Sequence, residues 1–310
     1  MKSTRDGFGD QLVESASMNN KIIVLGADLG KATRTVKFQE EYPDRFYEIG
    51  IAECNMIGIA SGMSEHGFRP VISSFASFLT GKYDVIRVSL AYSNAAVIVV
   101  GTHSGMAIGK DGVTQMGLED VTLMRALPNM VVLQPATYNE CRSMVKWALE
   151  SDSISGPVYL RLGRQPIREI FDEPPKFTLG KAHTLKEGSD VCLMSSGCIL
   201  PDIFDADEIL QSYGLSCGII NFPSIKPLDE AVIINAARNY RHLVTVEDHT
   251  VIGGFGSAIS EVLTDKCPKR LLRIGLNDIF PESGPPADLY KKYELDGGGI
   301  SRRVLSYVNR

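Results

Sequence analysis

Ala96-Val97-Ile98-Val99-Val100-Gly101-Thr102-His103-Ser104-Gly105-Met106-Ala107-Ile108-Gly109-Lys110-Asp111-Gly112-Val113-Thr114-Gln115 decides the fold. The run Ala96–Gly101 is apolar, rich in β-branched residues and without polar alternation. That is the composition of a strand covered on both faces, as in a parallel sheet. The rest is long for a strand-to-helix connection, rich in glycine, and carries His, Lys, Asp, Thr and Gln. Loops of this kind usually hold sites. His103 suits general acid/base work or a hydrogen bond to a substrate hydroxyl, and Asp111 suits accepting one. A merely solvated loop is the weaker reading, because few loops concentrate so many functional side chains.

The same texture recurs on either side of this stretch. Lys21–Gly26, Val71–Phe75, Met130–Gln134 and Val158–Leu162 read as further buried strands. Between them, Cys54–Glu65, Val85–Tyr92 and Asn139–Glu150 have apolar residues at helical spacing. After Arg168 the texture breaks, and Asp172-Glu173-Pro174-Pro175-Lys176 reads as a linker. A second alternation follows. Strands are expected at Asp190–Ser196, Ser216–Phe222, His242–Glu247 and Leu271–Ile274, with helices near Asp202–Tyr213, Asp229–Asn239 and Phe255–Leu263. The predicted fold class is α/β: two consecutive parallel-sheet domains, residues 1–172 and 183–310, within a length of 310 residues that suits two.

Composition narrows the function. A net charge of −5 with no basic block argues against nucleic acid as a partner. The start, Met1-Lys2-Ser3-Thr4-Arg5-Asp6, has no apolar core and is not a secretory signal, and no run approaches the ~18 apolar residues of a membrane span. The six cysteines form no CxxC pair and read as free thiols of a reducing cytoplasm, with no metal site of the chain's own.

Three further segments carry candidate chemistry. In Phe46–Asn55 a strand ends and a helix begins, with Glu53 at the turn. Capping the helix amides explains a carboxylate there, but strand ends of open α/β sheets are also where ligands bind. Phe75 and Phe78 lie three apart after a strand, suiting either the core or an aromatic wall for a planar ring. Arg164, in Arg161-Leu162-Gly163-Arg164-Gln165-Pro166, ends the last strand of the first domain, where it is either a surface residue or a partner for phosphate. Gly253-Gly254-Phe255-Gly256 is read as a tight turn into a packed helix in preference to an anion cradle.

In their order these segments resemble the transketolase family, which includes 1-deoxyxylulose-5-phosphate synthase. The resemblance rests on Ala27-Asp28-Leu29, the Gly-Ile-Ala-Glu turn at Glu53, Phe75 and Phe78, and the Thr-His…Gly-x-Asp-Gly loop at His103 and Asp111. It continues through the Arg-x-x-Pro-Asn-Met turn at Arg125–Met130, Arg164-Gln165, Asn221–Asp229 and Val246–His249 with Gly253-Gly254. It implies a pyrimidine-binding domain followed by a C-terminal domain, the second polypeptide of a split transketolase. Thiamine diphosphate (ThDP) would then be shared with an N-terminal subunit that carries the diphosphate domain and holds Mg2+ or Ca2+. A homodimer contact would give an α2β2 complex.

The implied reaction moves a two-carbon ketol unit from a ketose, or its phosphate, to an aldose. The resemblance assigns Glu53 to cofactor activation, Phe75 and Phe78 to the pyrimidine, Asp28 to a place near the cofactor at the first strand end, and His103, Asp111 and Gln115 to the sugar. Arg164, with Arg34, would take a distal phosphate. His103 is also a catalytic candidate. Gln115 stands where many members have His, and Gly81 stands where an aromatic or Arg is usual, unless Lys82 substitutes. A β subunit of a 2-oxo acid dehydrogenase shares the plan and a similar Glu, but the His103–Asp111 loop speaks against it. A non-catalytic sugar-binding partner is disfavoured by the joint presence of Glu53, His103 and Asp111.

Overall fold

The apolar runs become strands wherever both of their faces are covered. The computed structural model describes residues 1–151 and 154–309. Twelve strands are named here in chain order among the described residues: β1 (Ile22–Gly26), β2 (Phe46–Glu48), β3 (Arg69–Phe75), β4 (Ile98–Thr102), β5 (Val131–Leu133) and β6 (Val158–Arg161), then β7 (His183–Lys186), β8 (Val191–Ser195), β9 (Cys217–Asn221), β10 (Ser224–Lys226), β11 (His242–Thr250) and β12 (Leu271–Leu276). Every residue of β1, β4, β8 and β9 is buried, as expected for strands sandwiched between helices.

The first sheet runs β10-β5-β6-β4-β3-β1-β2, with β4 at its centre, and the second runs β12-β11-β8-β9-β7. All pairs are parallel except the two at the edges, β10 with β5 and β7 with β9, which are antiparallel. The sheets are therefore parallel apart from one antiparallel pair at an edge of each, in keeping with the expected parallel-sheet α/β class. An antiparallel edge strand on an otherwise parallel sheet is a common arrangement. The edge strand β10 also follows β9 in the chain, so the second half of the protein lends a strand to the first sheet. Gln134 N–H donates to Pro223 O at 2.8 Å and Asn221 Nδ2 to the buried Glu140 carboxylate at 2.7 Å, holding that crossover. Burial pushes the Glu140 carboxyl up to about 7.

Helix Glu53–Glu65 covers β1 and β3, burying Met56, Ile57 and Ala60. The expected helix at Val85–Tyr92 is present in two parts, a regular turn over Tyr83–Ile86 and a wider one over Arg87–Tyr92. Unforeseen was helix Thr4–Met18. Ser3 and Asp6 cap it reciprocally, the Ser3 hydroxyl accepting from Asp6 N–H while Asp6 accepts from Ser3 N–H at 2.9 Å. It packs on helix Tyr138–Glu150 so closely that a Cβ at Gly7 would lie 2.6 Å from Tyr138 O. This docking brings the start of the chain to the end of β4.

The Gly253–Gly256 turn is filled by the protein itself. Glu247 accepts the N–H groups of Phe255 and Gly256 at 2.7 and 2.9 Å, so the first amides of helix Phe255–Lys266 are already satisfied. A Cβ at Gly254 would meet Glu247 Oε2 at 2.1 Å. The tight-turn reading holds. Of the cysteines, 141, 192 and 217 are buried, while Cys54 is exposed.

Candidate active site

The carboxyl ends of β1, β3 and β4 converge on one edge of the first sheet. There Asp28, Glu53 and Phe78 line a single cavity of about 370 Å3, with Lys82 and Gly81 on its wall. Glu53 is the first residue of its helix and only 7% exposed. Its hydrogen bond comes from Ser74 Oγ at 3.2 Å, at the end of β3, and not from an amide of its own helix. One carboxylate oxygen is thereby held by the sheet while the residue faces the cavity, so capping does not account for Glu53.

Asp28 is exposed and adopts φ 57°, directly after the buried β1. Its N–H donates to Glu48 Oε1 at 2.8 Å, and the same oxygen accepts Gly50 N–H at 2.9 Å. Glu48 thus clamps the β1 end to the turn that delivers Glu53. That support was not read from the sequence.

The two phenylalanines form a stack, with ring centroids 5.3 Å apart and planes at 17°. Phe78 is on the cavity side. Phe75 lies behind it, 7% exposed, and its other neighbour is the His103 ring at 3.8 Å. A planar heteroaromatic ring with a nitrogen to offer would fit against Phe78 with its nitrogen toward Glu53. These are the features an aminopyrimidine needs, so the residues present fit that half of ThDP. Among the described residues no cluster of His, Cys, Asp or Glu is arranged to hold a metal ion.

His103 follows β4 with φ 58° and is buried. A continuous polar chain runs through it. Thr102 Oγ1 donates to Ser74 O at 3.3 Å, His103 Nδ1 lies 2.9 Å from Thr102 Oγ1, and Arg5 Nη1 lies 3.4 Å from His103 Nε2. Because the guanidinium can only donate, the network assigns the proton to Nδ1 and the lone pair to Nε2. Burial, and then the charges of Arg5, Arg164 and Arg34, push the imidazole down to about 3. The ring is therefore neutral at physiological pH, which favours hydrogen bonding over proton donation from an imidazolium.

That assignment has a direct check. The His103 ring resonances should show no titration between pH 5 and 8 in NMR spectra of the chain, assigned against His103→Gln. Arg5→Ala should move the midpoint upward from about 3, since a like charge is removed, though burial keeps it below the ordinary value of about 6.5. A midpoint near 6.5 in the unsubstituted chain would show that the ring is solvated or differently paired.

The remaining sequence-derived residues gather at the same corner. Arg164 Nη1 donates to Asp111 Oδ2 at 2.9 Å and to Ile108 O at 3.2 Å, so the expected sugar reader and phosphate partner meet as a half-exposed ion pair. Arg34, at φ 70°, pairs with Asp6 at 2.7 Å. Gln115 is joined to the aromatic wall through its main chain, its O accepting Ser77 Oγ at 3.1 Å. Arg5 was missed, because the helix that carries it was itself unforeseen. Only the packing of helix Thr4–Met18 brings it here, where Arg5 Nη1 also donates to Ala32 O at 2.8 Å. Arg5, Arg34 and Arg164 make a cationic rim suited to an anionic group at the far end of a substrate. A larger cavity, about 480 Å3, lies on the other side of the 103–112 loop, against the second domain.

Comparison with known proteins gives one answer over nearly the whole chain. Residues 1–169 match the family model described as transketolase, pyrimidine binding domain, and residues 180–300 match transketolase, C-terminal domain. A putative transketolase C-terminal section from Methanocaldococcus jannaschii is 38% identical over 313 aligned positions, covering 100% of this chain and 97% of the relative. A 6-deoxy-6-sulfo-D-fructose transketolase subunit from Clostridium sp. is 37% identical, covering 99% of this chain and 94% of the relative. Among solved structures, one described as a split gene transketolase, inactive beta4 tetramer, superposes with a TM-score of 0.92 at 38% identity, covering 100% of this chain and 99% of that one.

Proposed function

This chain belongs to the transketolase family, and we propose that it is the C-terminal subunit of a two-subunit, ThDP-dependent transketolase. In this reading it moves a two-carbon ketol unit from a ketose or ketose phosphate to an aldose or aldose phosphate. The observation that carries the proposal is the joint placement of Glu53 and Phe78 on one cavity, joined through Ser74 and Thr102 to His103. The relatives named as a C-terminal section, a transketolase subunit and a split-gene product support the divided arrangement. The inactive beta4 state named for the solved relative supports dependence on an N-terminal subunit.

When bound, ThDP would supply a nucleophilic carbon and an electron sink, so that the C2–C3 bond of the ketose can break and its two-carbon unit pass to the aldose. The chain's own residues bind and orient. Glu53 shares a proton with ring nitrogen N1′ of the aminopyrimidine, its position fixed by Ser74. Phe78, backed by Phe75, excludes water from the ring face, and Asp28 borders the same cavity from the β1 end. Neutral His103, its Nδ1 proton held by Thr102, offers the Nε2 lone pair to a sugar hydroxyl in place of Arg5, and Asp111 and Gln115 make further hydrogen bonds to the sugar. Arg164 and Arg34, joined by Arg5, bind the distal anionic group. Mg2+ or Ca2+ and the diphosphate belong to the partner subunit, and a contact between copies completes an α2β2 assembly. Cytoplasmic residence is part of the proposal, since free thiols suit a reducing compartment.

The test is a complex of this chain with an N-terminal transketolase subunit, assayed against a panel of ketose donors. His103→Ala and Asp111→Ala should each lower kcat/KM for hydroxylated donors by about tenfold or more, the loss expected when a hydroxyl-reading partner is removed. ThDP affinity and exchange of the thiazolium C2 proton should stay nearly unchanged. Asp111→Ala should also narrow the preference between donors that differ in configuration at the reacting hydroxyls. If both variants lose cofactor binding and treat all donors alike, the loop serves the cofactor or the assembly instead.

A further inference from the structure

The loop that carries His103 and Asp111 takes its shape from the second domain. Three of its glycines have left-handed φ values, 74° at Gly105, 72° at Gly109 and 84° at Gly112. Each presses on a residue far along the chain. A Cβ at Gly105 would fall 1.9 Å from Asp248 Oδ2, one at Gly109 2.9 Å from Gly284 O, and one at Gly112 2.5 Å from Ser283 Oγ.

One polar contact dominates this mould. Met106 N–H donates to the Asp248 carboxylate, 3.0 Å from Oδ1 and 3.2 Å from Oδ2. Asp248 lies on β11 and is only 5% exposed. The carboxylate is aimed by Tyr290, whose hydroxyl donates to Oδ2 at 2.5 Å from helix Pro286–Lys292. The buried Arg161 ties both ends of the arrangement together, donating through Nη2 to Asp248 O at 3.0 Å and to Gly117 O, just beyond the loop, at 2.9 Å. Behind the loop, Asp248 and Tyr290 line the 480 Å3 cavity. Without the carboxylate there is open space into which the Gly105–Met106 turn can move.

We propose that Asp248, aimed by Tyr290, is a positioning residue that holds the 103–112 loop at the distance where His103 and Asp111 address the same sugar. The second domain then sets donor selection without lining the Glu53 cavity. This rests on the reading that the loop binds sugar.

The experiment compares the two-subunit complex containing Asp248→Ala, Asp248→Asn or Tyr290→Phe with the unsubstituted complex. Asp248→Ala should raise KM for the donor ketose about tenfold, as expected for loss of a charged hydrogen-bond acceptor. Its kcat and ThDP affinity should stay within about twofold, the signature of lost binding geometry and not of lost chemistry. Asp248→Asn keeps one oxygen for Met106 N–H and should recover part of the loss. Tyr290→Phe should raise KM about threefold, a loss at the scale of one hydrogen bond, and it serves as the test should Asp248→Ala not fold. In the full chain alone, amide hydrogen exchange at Met106–Asp111 should quicken in Asp248→Ala while β4 and β11 keep their protection. An active complex whose KM or loop exchange is unmoved by these changes, or whose kcat and ThDP affinity fall along with the KM change, overturns this proposal alone. An unsubstituted complex that turns over no ketose removes the sugar-transfer reading, and this proposal with it.

Discussion

Glu53→Gln should lower kcat of the assembled enzyme by about 100- to 10,000-fold, the range that a positioned proton-sharing group supplies. The side chain is nearly isosteric and still offers an oxygen to Ser74 Oγ, so the packing of helix Glu53–Glu65 against β3 survives. Only the capacity to hold and share a proton is lost. Glu53→Ala should be at least as inactive, and it also leaves Ser74 Oγ without its acceptor in a buried setting. That costs about 1–3 kcal/mol of stability by the usual penalty for an unsatisfied buried group. Three measurements decide: kcat at saturating donor, exchange of the thiazolium C2 proton followed by NMR, and the thermal unfolding midpoint. Near-normal proton exchange in the glutamine variant would sink the assignment. A large fall in the unfolding midpoint of that variant would reassign Glu53 to structure.

The site was legible in the sequence where chemistry and local pattern coincide. Glu53 stands where a short strand gives way to helical spacing, and Phe75 and Phe78 lie at the end of another strand and just after it, so position and residue type point the same way. Arg5 was illegible because its role comes from tertiary packing. Nothing within Ser3-Thr4-Arg5-Asp6 announces that helix Thr4–Met18 will dock on Tyr138–Glu150 and carry a guanidinium to His103. Strand β10 has only three residues between Pro223 and Pro227, which read locally as a turn, yet it completes the first sheet through β5. Helix Gly297–Val308 was hidden by Gly297-Gly298-Gly299, a poor helix-forming run. Its cause is packing: a Cβ at Gly297 would meet Asp205 Cβ at 2.7 Å, and Asp296 accepts Gly299 N–H at 2.8 Å to cap the turn. In each case the decisive partner lies far away in sequence, where periodicity carries no information.

The chain by itself should bind ThDP negligibly and transfer no ketol group. The cavity at Glu53 fits a planar ring, but it does not suit a diphosphate. Half of its side chains are apolar, two are the carboxyl-bearing Asp28 and Glu53, and Lys82 is its one cation among the described residues. A diphosphate brought there would meet more acidic groups than basic ones, without the metal ion that normally offsets its charge. The three arginines gather on the other side of the aromatic stack, beside His103. Charge-assisted hydrogen bonds contribute about 1.5–3 kcal/mol each, and every 1.4 kcal/mol is about tenfold in affinity. Lacking three or four such contacts, the chain alone should bind at least about a thousandfold more weakly than the complex. Titration calorimetry of ThDP with Mg2+ into the chain should therefore give no saturable heat at micromolar concentrations, and the same titration into the two-subunit complex should. Tight, Mg2+-dependent binding by the chain alone would mean that it carries its own diphosphate site and that the divided arrangement is wrong.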